Sequence, residues 1–520
     1  MKLALFKSLH TRCHRMRSAN GYTLLILASL MICRWYCCAI ADADPIRAGV
    51  ARVEITDREA ARVNDPLYVK ALVLYDGAAN AVLITVDAVA IGEIGRIGND
   101  FLPTVRSRLQ KELDIEPAHV LVNASHCHGI VCTDVEERTV QAVRRAARNL
   151  VPVRIGVGVG REDRIMENRR LKLIDGSEAD VRHAYSVPPD DQIAAVGPVD
   201  PEIGVLRLDR MDGRTLAAVY NFACHPIQGV PGGGNTADII GFASRAIEDN
   251  LSDGAIALFL QGCAGDINPV FYKDVDHPRS AEPLGNMLGL STLRALKRVQ
   301  TEDEGRLKIL RETLQLPRAD LADRIAAMET EQARLLQSLK ATSLNLKTFL
   351  PLIVKYHLSD DFPANYSYEY RHEEAMGRDH LMALDAQNRA NIEQYVRNIQ
   401  TMEALTRLRT NLDLLRKHQA DNQAAGGAMI EVELLGLRIG DFVLVTFPGE
   451  LTVQIGLNIK AASPHPQTFV AGYTNGYIYY APTAEQLKNV GGAQEDSDCL
   501  LAPAWQALYE AKAMEILKRL

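Results

Sequence analysis

The sequence predicts a mixed α/β protein, with central sheets and flanking helices, built as a single domain that carries a helical insertion. Three observations predict it. Short apolar, β-rich runs alternate with amphipathic helical segments along most of the chain, the pattern of buried strands covered by helices. From about Arg318 to Gln423 that alternation stops and the sequence becomes long, charged and helical. Of the 520 residues, 47% are hydrophobic and 24% charged, a globular balance in a chain long enough for a large core.

The elements follow in order. Residues 1–41 hold Lys2, Lys7, Arg12, Arg15, Arg17 and Arg34, no acidic residue, and the stretch "GYTLLILASLMIC". That stretch is shorter than the roughly 18 apolar residues of a membrane span and has the length of an export signal, with "AIA" at Ala39–Ala41 as the cleavage site. An uncleaved anchor is the alternative, and either reading places the body outside the cytoplasm. "ALVLYDGAANAVLITVD" reads as two strands around an Asp-Gly turn. "FLPTVRSRLQKEL" and "ERTVQAVRRAARNL" have helical periodicity. "HVLVNASH", "VRIGVGVG", "GVLRLDR", "TLAAVYNFACH" and "AIALFLQG" are strands, and "GFASRAIEDNL" is a helix. Residues 46–315 form the first part of the domain and 316–425 the insertion. The insertion reads as a helical hairpin whose two arms flank the aromatic patch "FPANYSYEY", taken as a packed inter-helix loop, with an interface as the alternative. Residues 426–520 form the second part, with a hairpin about Ile-Gly-Asp in "LRIGDFVLV" and a C-terminal helix.

Charge and cysteine content narrow the function classes. Removing the six basic residues of the leader from a chain of net charge -7 leaves a body at -13. An acidic body excludes a nucleic-acid partner, which needs basic patches. Outside the leader five cysteines remain (Cys127, Cys132, Cys224, Cys263, Cys499), an odd number without CxxC metal spacing, so this is no disulfide scaffold.

The unusual polar residues share one position, just after a strand. His126 and His128 follow "VLVNAS"; in extended backbone residues i and i+2 point the same way, so both imidazoles face one cleft and Cys127 turns away. His225 follows "AAVYNFAC". "QGCAGDINP", with Asp266 and Asn268, follows "AIALFL". Glu450 follows "FVLVTFPG", and "NGYIYY", with Tyr477 and Tyr480, follows "TFVAGYT". Ligands gather where loops leave one edge of a sheet. Two or three histidines with a carboxylate make a catalytic zinc set that leaves one position for water. Cys127 and Cys224 neighbour proposed ligands; packing is their expected role, with a disulfide between them as the alternative.

The ordered set "AGVARVEITD", "VLVNASHCHG", "YNFACHP", "GGNTADIIG", "FLQGCAGDINP", "VTFPGE", "GYTNGYIYY" resembles the neutral/alkaline (non-lysosomal) ceramidases and their bacterial relatives over roughly residues 46–300 and 430–490. The resemblance implies a zinc-dependent amidohydrolase that cleaves the N-acyl bond of ceramide. It implies Zn2+ ligands at His126, His225 and Glu450, completed by Tyr480 with Tyr477 as the alternative. It places His128 near the reacting centre and puts Asp238, Asp266 and Arg170 at family-like positions. The chain departs from the family in carrying Asn268 where a serine is implicated in catalysis. Asn268 is no serine-type nucleophile, but it can donate an N–H to a developing oxyanion. The later family tyrosine is absent from "VGGAQ", no C-terminal immunoglobulin-like domain is expected, and the helical insertion is not a ceramidase feature.

The expected partner is therefore a small-molecule or lipid substrate, with peripheral membrane contact open and no oligomeric state implied. Two other readings remain: a zinc hydrolase of a non-ceramide amide or ester, and a non-catalytic binding protein on the same scaffold.

Overall fold

The computed structural model describes residues 46–181, 188–230, 234–272, 274–303, 305–489 and 492–520. The leader read over residues 1–41 lies outside the described residues.

Eight strands build the main sheet: β1 (Arg47–Glu54), β2 (Tyr68–Tyr75), β3 (Asn80–Val86), β4 (Val120–Ala124), β5 (Val151–Arg161), β6 (Glu202–Arg210), β7 (Thr215–Phe222) and β8 (Ile256–Gln261). Their order is β8-β7-β6-β5-β1-β2-β3-β4. β1 meets β5 only through Arg47 against Pro152 and Ala48 against Val151, so the sheet divides into two halves. Leu72, Leu74, Leu83 and Leu121 of one half share a core with Leu206, Leu208, Leu258 and Leu260 of the other. The edge strands β4 and β8 meet near their C-terminal ends, where the Gln261 N–H donates to Asn123 Oδ1 at 2.9 Å. That junction brings together the loops that follow β4, β7 and β8.

Helices cover the outer faces. α1 (Phe101–Leu113) packs on α2 (Val135–Arg148), which lies over β1–β3, and both helices share one core with those strands. α3 (Asp238–Asp249) and α4 (Glu282–Leu296) lie over β5, β6 and β8. The mixed α/β class read from the sequence holds, and the β2–β3 hairpin, α1 and the buried strands fall where the period-2 and period-3.6 patterns put them.

A second sheet, in the order β9-β10-β11-β12, comprises β9 (Leu307–Pro317), β10 (Met429–Ile439), β11 (Phe442–Thr446) and β12 (Thr468–Ala471). β9 and β10 pair antiparallel along their full length, from Leu307 against Ile439 to Pro317 against Met429. The helical segment leaves the end of β9 and returns at the start of β10, so it is spliced into a hairpin. It holds α5 (Ala322–Ser338), α6 (Leu346–Leu358), α7 (Ser367–Ala375) and α8 (His380–Ala424). This corrects the two-arm hairpin expected from sequence. α6 starts at a capping box, Asn345 accepting from the backbone N–H groups of Lys347 and Thr348, and part of the aromatic patch taken as a loop is α7. α9 (Val453–Ala462) and α10 (Trp505–Arg519) close the second sheet.

Candidate metal centre

Three buried side chains converge at the junction of the loops. A ring nitrogen of His126, a ring nitrogen of His225 and a carboxylate oxygen of Glu450 lie within 4.8 Å of one another. His126 leaves β4 in the left-handed region, φ 67°, a conformation uncommon outside glycine but within reach of histidine. Backbone hydrogen bonds hold it there, Ser125 N–H to Val86 O and His126 N–H to Ala88 O, both 2.9 Å. The extended backbone expected at His126-x-His128 is thus corrected. The two rings nevertheless stay close, with centroids 5.5 Å apart edge to face. His126 is buried and His128 exposed, while Cys127 packs in the core.

His225 follows β7 and is anchored by its own N–H to Ile267 O at 3.1 Å. Glu450 sits in a two-residue strand, Glu450–Leu451, parallel to Tyr480–Ala481. Glycines permit the crowding here. A Cβ on Gly265 would fall 2.7 Å from Glu450 O, and one on Gly449 would fall 2.8 Å from Tyr479 O. This is the physical use of the glycines in "CAGD" and "FPGE".

Each imidazole directs Nδ1 at a backbone carbonyl, His126 to Val89 O at 2.6 Å and His225 to Ile267 O at 3.0 Å. A carbonyl only accepts, so Nδ1 carries the proton and Nε2 is left to face Glu450 Oε2, at 3.5 Å from His126 and 3.1 Å from His225. In neutral rings that sets nitrogen lone pairs against a carboxylate oxygen, an arrangement that needs a proton or a cation between them. The backbone carbonyls fix the tautomer of each ring, as a second hydrogen bond does for histidines that bind metals.

Burial alone would raise the Glu450 carboxyl, but with a proton on Nε2 of the His126 and His225 imidazoles their positive charge, joined by the Tyr477 hydroxyl, outweighs it and holds the group well below the usual carboxylate range. Tyr477 donates to Oε1 and Tyr473 to Oε2, the latter at 3.1 Å. Burial, reinforced by the Glu450 charge, lifts both phenols well above their ordinary range, so they stay neutral donors. Tyr473 was missed from sequence. It precedes the Asn-x-Tyr-x-x-Tyr segment, and its left-handed backbone, φ 52°, leaves no mark in residue type.

The remaining sequence candidates fall around this cluster. Tyr480 is buried with its hydroxyl 3.2 Å from Arg169 Nη2. Asn268 Oδ1 accepts from Arg169 Nη1 at 3.1 Å. Asp266 accepts from Val453 N–H at 2.8 Å at the start of α9 and from Asn168 Nδ2 at 3.1 Å. Arg170 lies in a carboxylate nest, within 2.5 Å of Glu178, 3.3 Å of Glu495 and 2.8 Å of Asp496. Its neighbour Arg169, not singled out from sequence, is the arginine that reaches Asn268 and Tyr480. Asp238 accepts backbone N–H groups from Gln228, Gly229 and Ile239 and so closes the loop after His225. Cys127 and Cys224 are both free thiols buried in separate core clusters, which overturns the disulfide alternative.

No protein-family model and no curated protein sequence matches the chain. Solved structures do. One is a ceramidase complexed with C2, 17% identical, with a TM-score of 0.56 over 92% of this chain and 76% of that one. Another is the neutral ceramidase from Pseudomonas aeruginosa, 16% identical, with a TM-score of 0.56 over 92% of this chain and 75% of that one. The chain has the fold of these neutral ceramidase structures.

Proposed function

We propose that the chain is a zinc-dependent hydrolase that cleaves the N-acyl bond of a ceramide-like lipid amide. The observation that carries this reading is the convergence of His126, His225 and Glu450, with both Nδ1 atoms directed at backbone carbonyls. The donor set suits zinc, two imidazole nitrogens and one carboxylate, and three protein ligands are the number found in catalytic sites. His126, His225 and Glu450 would hold the ion. Bound zinc supplies Lewis acidity toward a carbonyl and makes water a nucleophile near neutral pH.

The chain's own residues do the rest. Tyr473 and Tyr477 orient the Glu450 carboxylate. Hydrolysis places a hydroxyl on the acyl carbon and a proton on the departing nitrogen. His128, exposed beside buried His126, would hand over that proton as a general acid, a role its nearness to the cluster supports. Arg169 engages Asn268 Oδ1, which leaves Nδ2 as the end of that amide that can donate to a developing oxyanion. An asparagine can thus serve where a serine nucleophile is absent. The export reading of residues 1–41 belongs to the same proposal, since the enzyme would meet its lipid outside the cytoplasm; a mature N-terminus at Asp42 in secreted protein would support it, and retention of the protein in the cytoplasm would refute it.

The test uses protein lacking residues 1–41, because the body from Pro45 onward is one compact unit. Release of free fatty acid is followed from a short-chain N-acylsphingosine and from a matched acyl ester. Amide hydrolysis that is lost on chelation, restored by zinc and absent in Glu450→Gln supports the proposal. A zinc-loaded protein that cleaves the ester alone, or neither substrate, overturns the amide assignment.

A further inference from the structure

The helical segment spliced between β9 and β10 has a surface that the proposed chemistry does not use. α6 packs on α8 through one face. Phe349 stacks on Tyr395 with ring centroids 4.4 Å apart, the Tyr356 hydroxyl donates to Asp385 at 2.6 Å, and the Arg389 guanidinium sits 5.0 Å above the Tyr356 ring. The face beside it carries Leu346, Leu350, Val354 and Leu358, four residues apart and 53% to 79% exposed. Four-residue spacing aligns these side chains along one side of the helix. A stripe of that kind on a helix held by other contacts marks an interaction site.

We propose that this stripe of α6 is a docking surface for an anionic lipid bilayer, on which the helix lies in the plane of the interface. Charge favours lipid as the occupant. α6 contains no acidic residue, and exposed Lys347 and Lys355 lie beside the stripe, Lys355 with its Nζ donating to the Ala364 carbonyl; a lysine stem can lie along apolar surface while its ammonium group reaches headgroups. The aromatic residues agree. Tyr366 and Tyr368, beyond the end of α6, are exposed and stacked nearly parallel, an amphipathic ring type enriched at membrane–water boundaries. Among the described residues no helix is long and apolar enough to cross a membrane, so the contact is peripheral.

The surface is tied to the site by α8. Lys417 Nζ donates to the Tyr479 hydroxyl at 2.9 Å, and Tyr479 O accepts the Glu450 N–H at 2.9 Å. From Lys417 back to Tyr395 the helix runs roughly 33 Å at 1.5 Å per residue. One continuous helix therefore connects the loop around the metal cluster to the docking face. The purpose of the surface rests on reading the substrate as a lipid.

The test is co-sedimentation of protein lacking residues 1–41 with phosphatidylcholine vesicles, with and without phosphatidylserine, beside Leu350→Asp/Val354→Asp and Lys347→Ala/Lys355→Ala variants. Both pairs are exposed, so the fold should survive, and circular dichroism checks that. Binding to the phosphatidylserine vesicles, weakened about tenfold or more in the aspartate variant and reduced in the lysine variant, supports the proposal. Absence of vesicle binding, or equal binding by the aspartate variant, overturns it. So does a wild-type dimer that the aspartate variant converts to monomer, since the stripe would then cover a second copy. Vesicle binding is read without turnover. Failure of amide hydrolysis therefore leaves this result standing, and failure to bind vesicles leaves cleavage of a soluble short-chain amide untouched.

Discussion

Two clusters of buried polar groups lie near one another, and they handle buried charge in opposite ways. Around Arg169 and Arg170 each guanidinium is matched within the protein: Arg169 by Glu495 at 2.6 Å, and Arg170 by Glu178, Glu495 and Asp496. Around Glu450 the partners are two imidazoles, each with Nδ1 committed to a carbonyl, and two neutral phenols. The first cluster is complete as folded. The second presents three convergent donors to a common point and gains most from a cation. On the proposed reading, the difference separates ion pairs that hold the fold from a group that would serve a ligand, although both are buried and polar.

Breaking the comparison at its ends should produce the largest effects. Glu450→Gln or His225→Ala should abolish hydrolysis and metal retention with little loss of stability, measured by turnover and thermal melting on the same preparations. Arg170→Ala should do the reverse. Removing one member of a buried ion pair leaves its carboxylates uncompensated, at a cost of about 3–5 kcal/mol in urea unfolding, while the folded fraction keeps its metal. A stable Arg170→Ala protein without metal would erase the distinction. Smaller changes sharpen it. Tyr473→Phe and Tyr477→Phe should each weaken metal affinity by about 10- to 100-fold, as other outer-shell changes do, read by competition with a chelator.

The smallest effect concerns pH. Burial lifts the Asp238 carboxyl from an ordinary 3.8 to about 6, against three backbone N–H groups that lower it. The native state therefore holds a proton that the unfolded chain has released, and raising the pH through that window costs stability. Stability relative to Asp238→Asn should fall as the pH climbs from 3.8 to about 6 and then level off. Asparagine suits the test because it also tolerates the left-handed backbone at this position, φ 57°. A flat difference between the two proteins would show that the carboxyl is not perturbed.

How much was legible in the sequence follows from which physical rules are local. Strand alternation and helical periodicity are local, so β2, β3, α1 and β10–β11 could be read directly. His126, His225 and Glu450 each follow a strand, and that shared placement carried them. Tyr473 and the turn at His126 depend on left-handed backbone, which side-chain identity does not announce. Choosing between Arg169 and Arg170 requires the facing of one short segment, because neighbours there point to opposite sides and only tertiary pairing tells which side holds Asn268. In the insertion, α6 buries the aromatic rings of Phe349 and Tyr356 against α8 and leaves a second apolar face exposed, so a reading that sends every apolar residue inward finds no single helix face to follow.

The most direct test is metal content, by elemental analysis of the protein lacking residues 1–41 beside its His126→Ala and Glu450→Ala variants. About one zinc per chain in the parent and none in either variant is the expected result. A folded parent that neither carries zinc nor takes it up when zinc is added would contradict the account, and would leave the three side chains as a hydrogen-bonded core cluster.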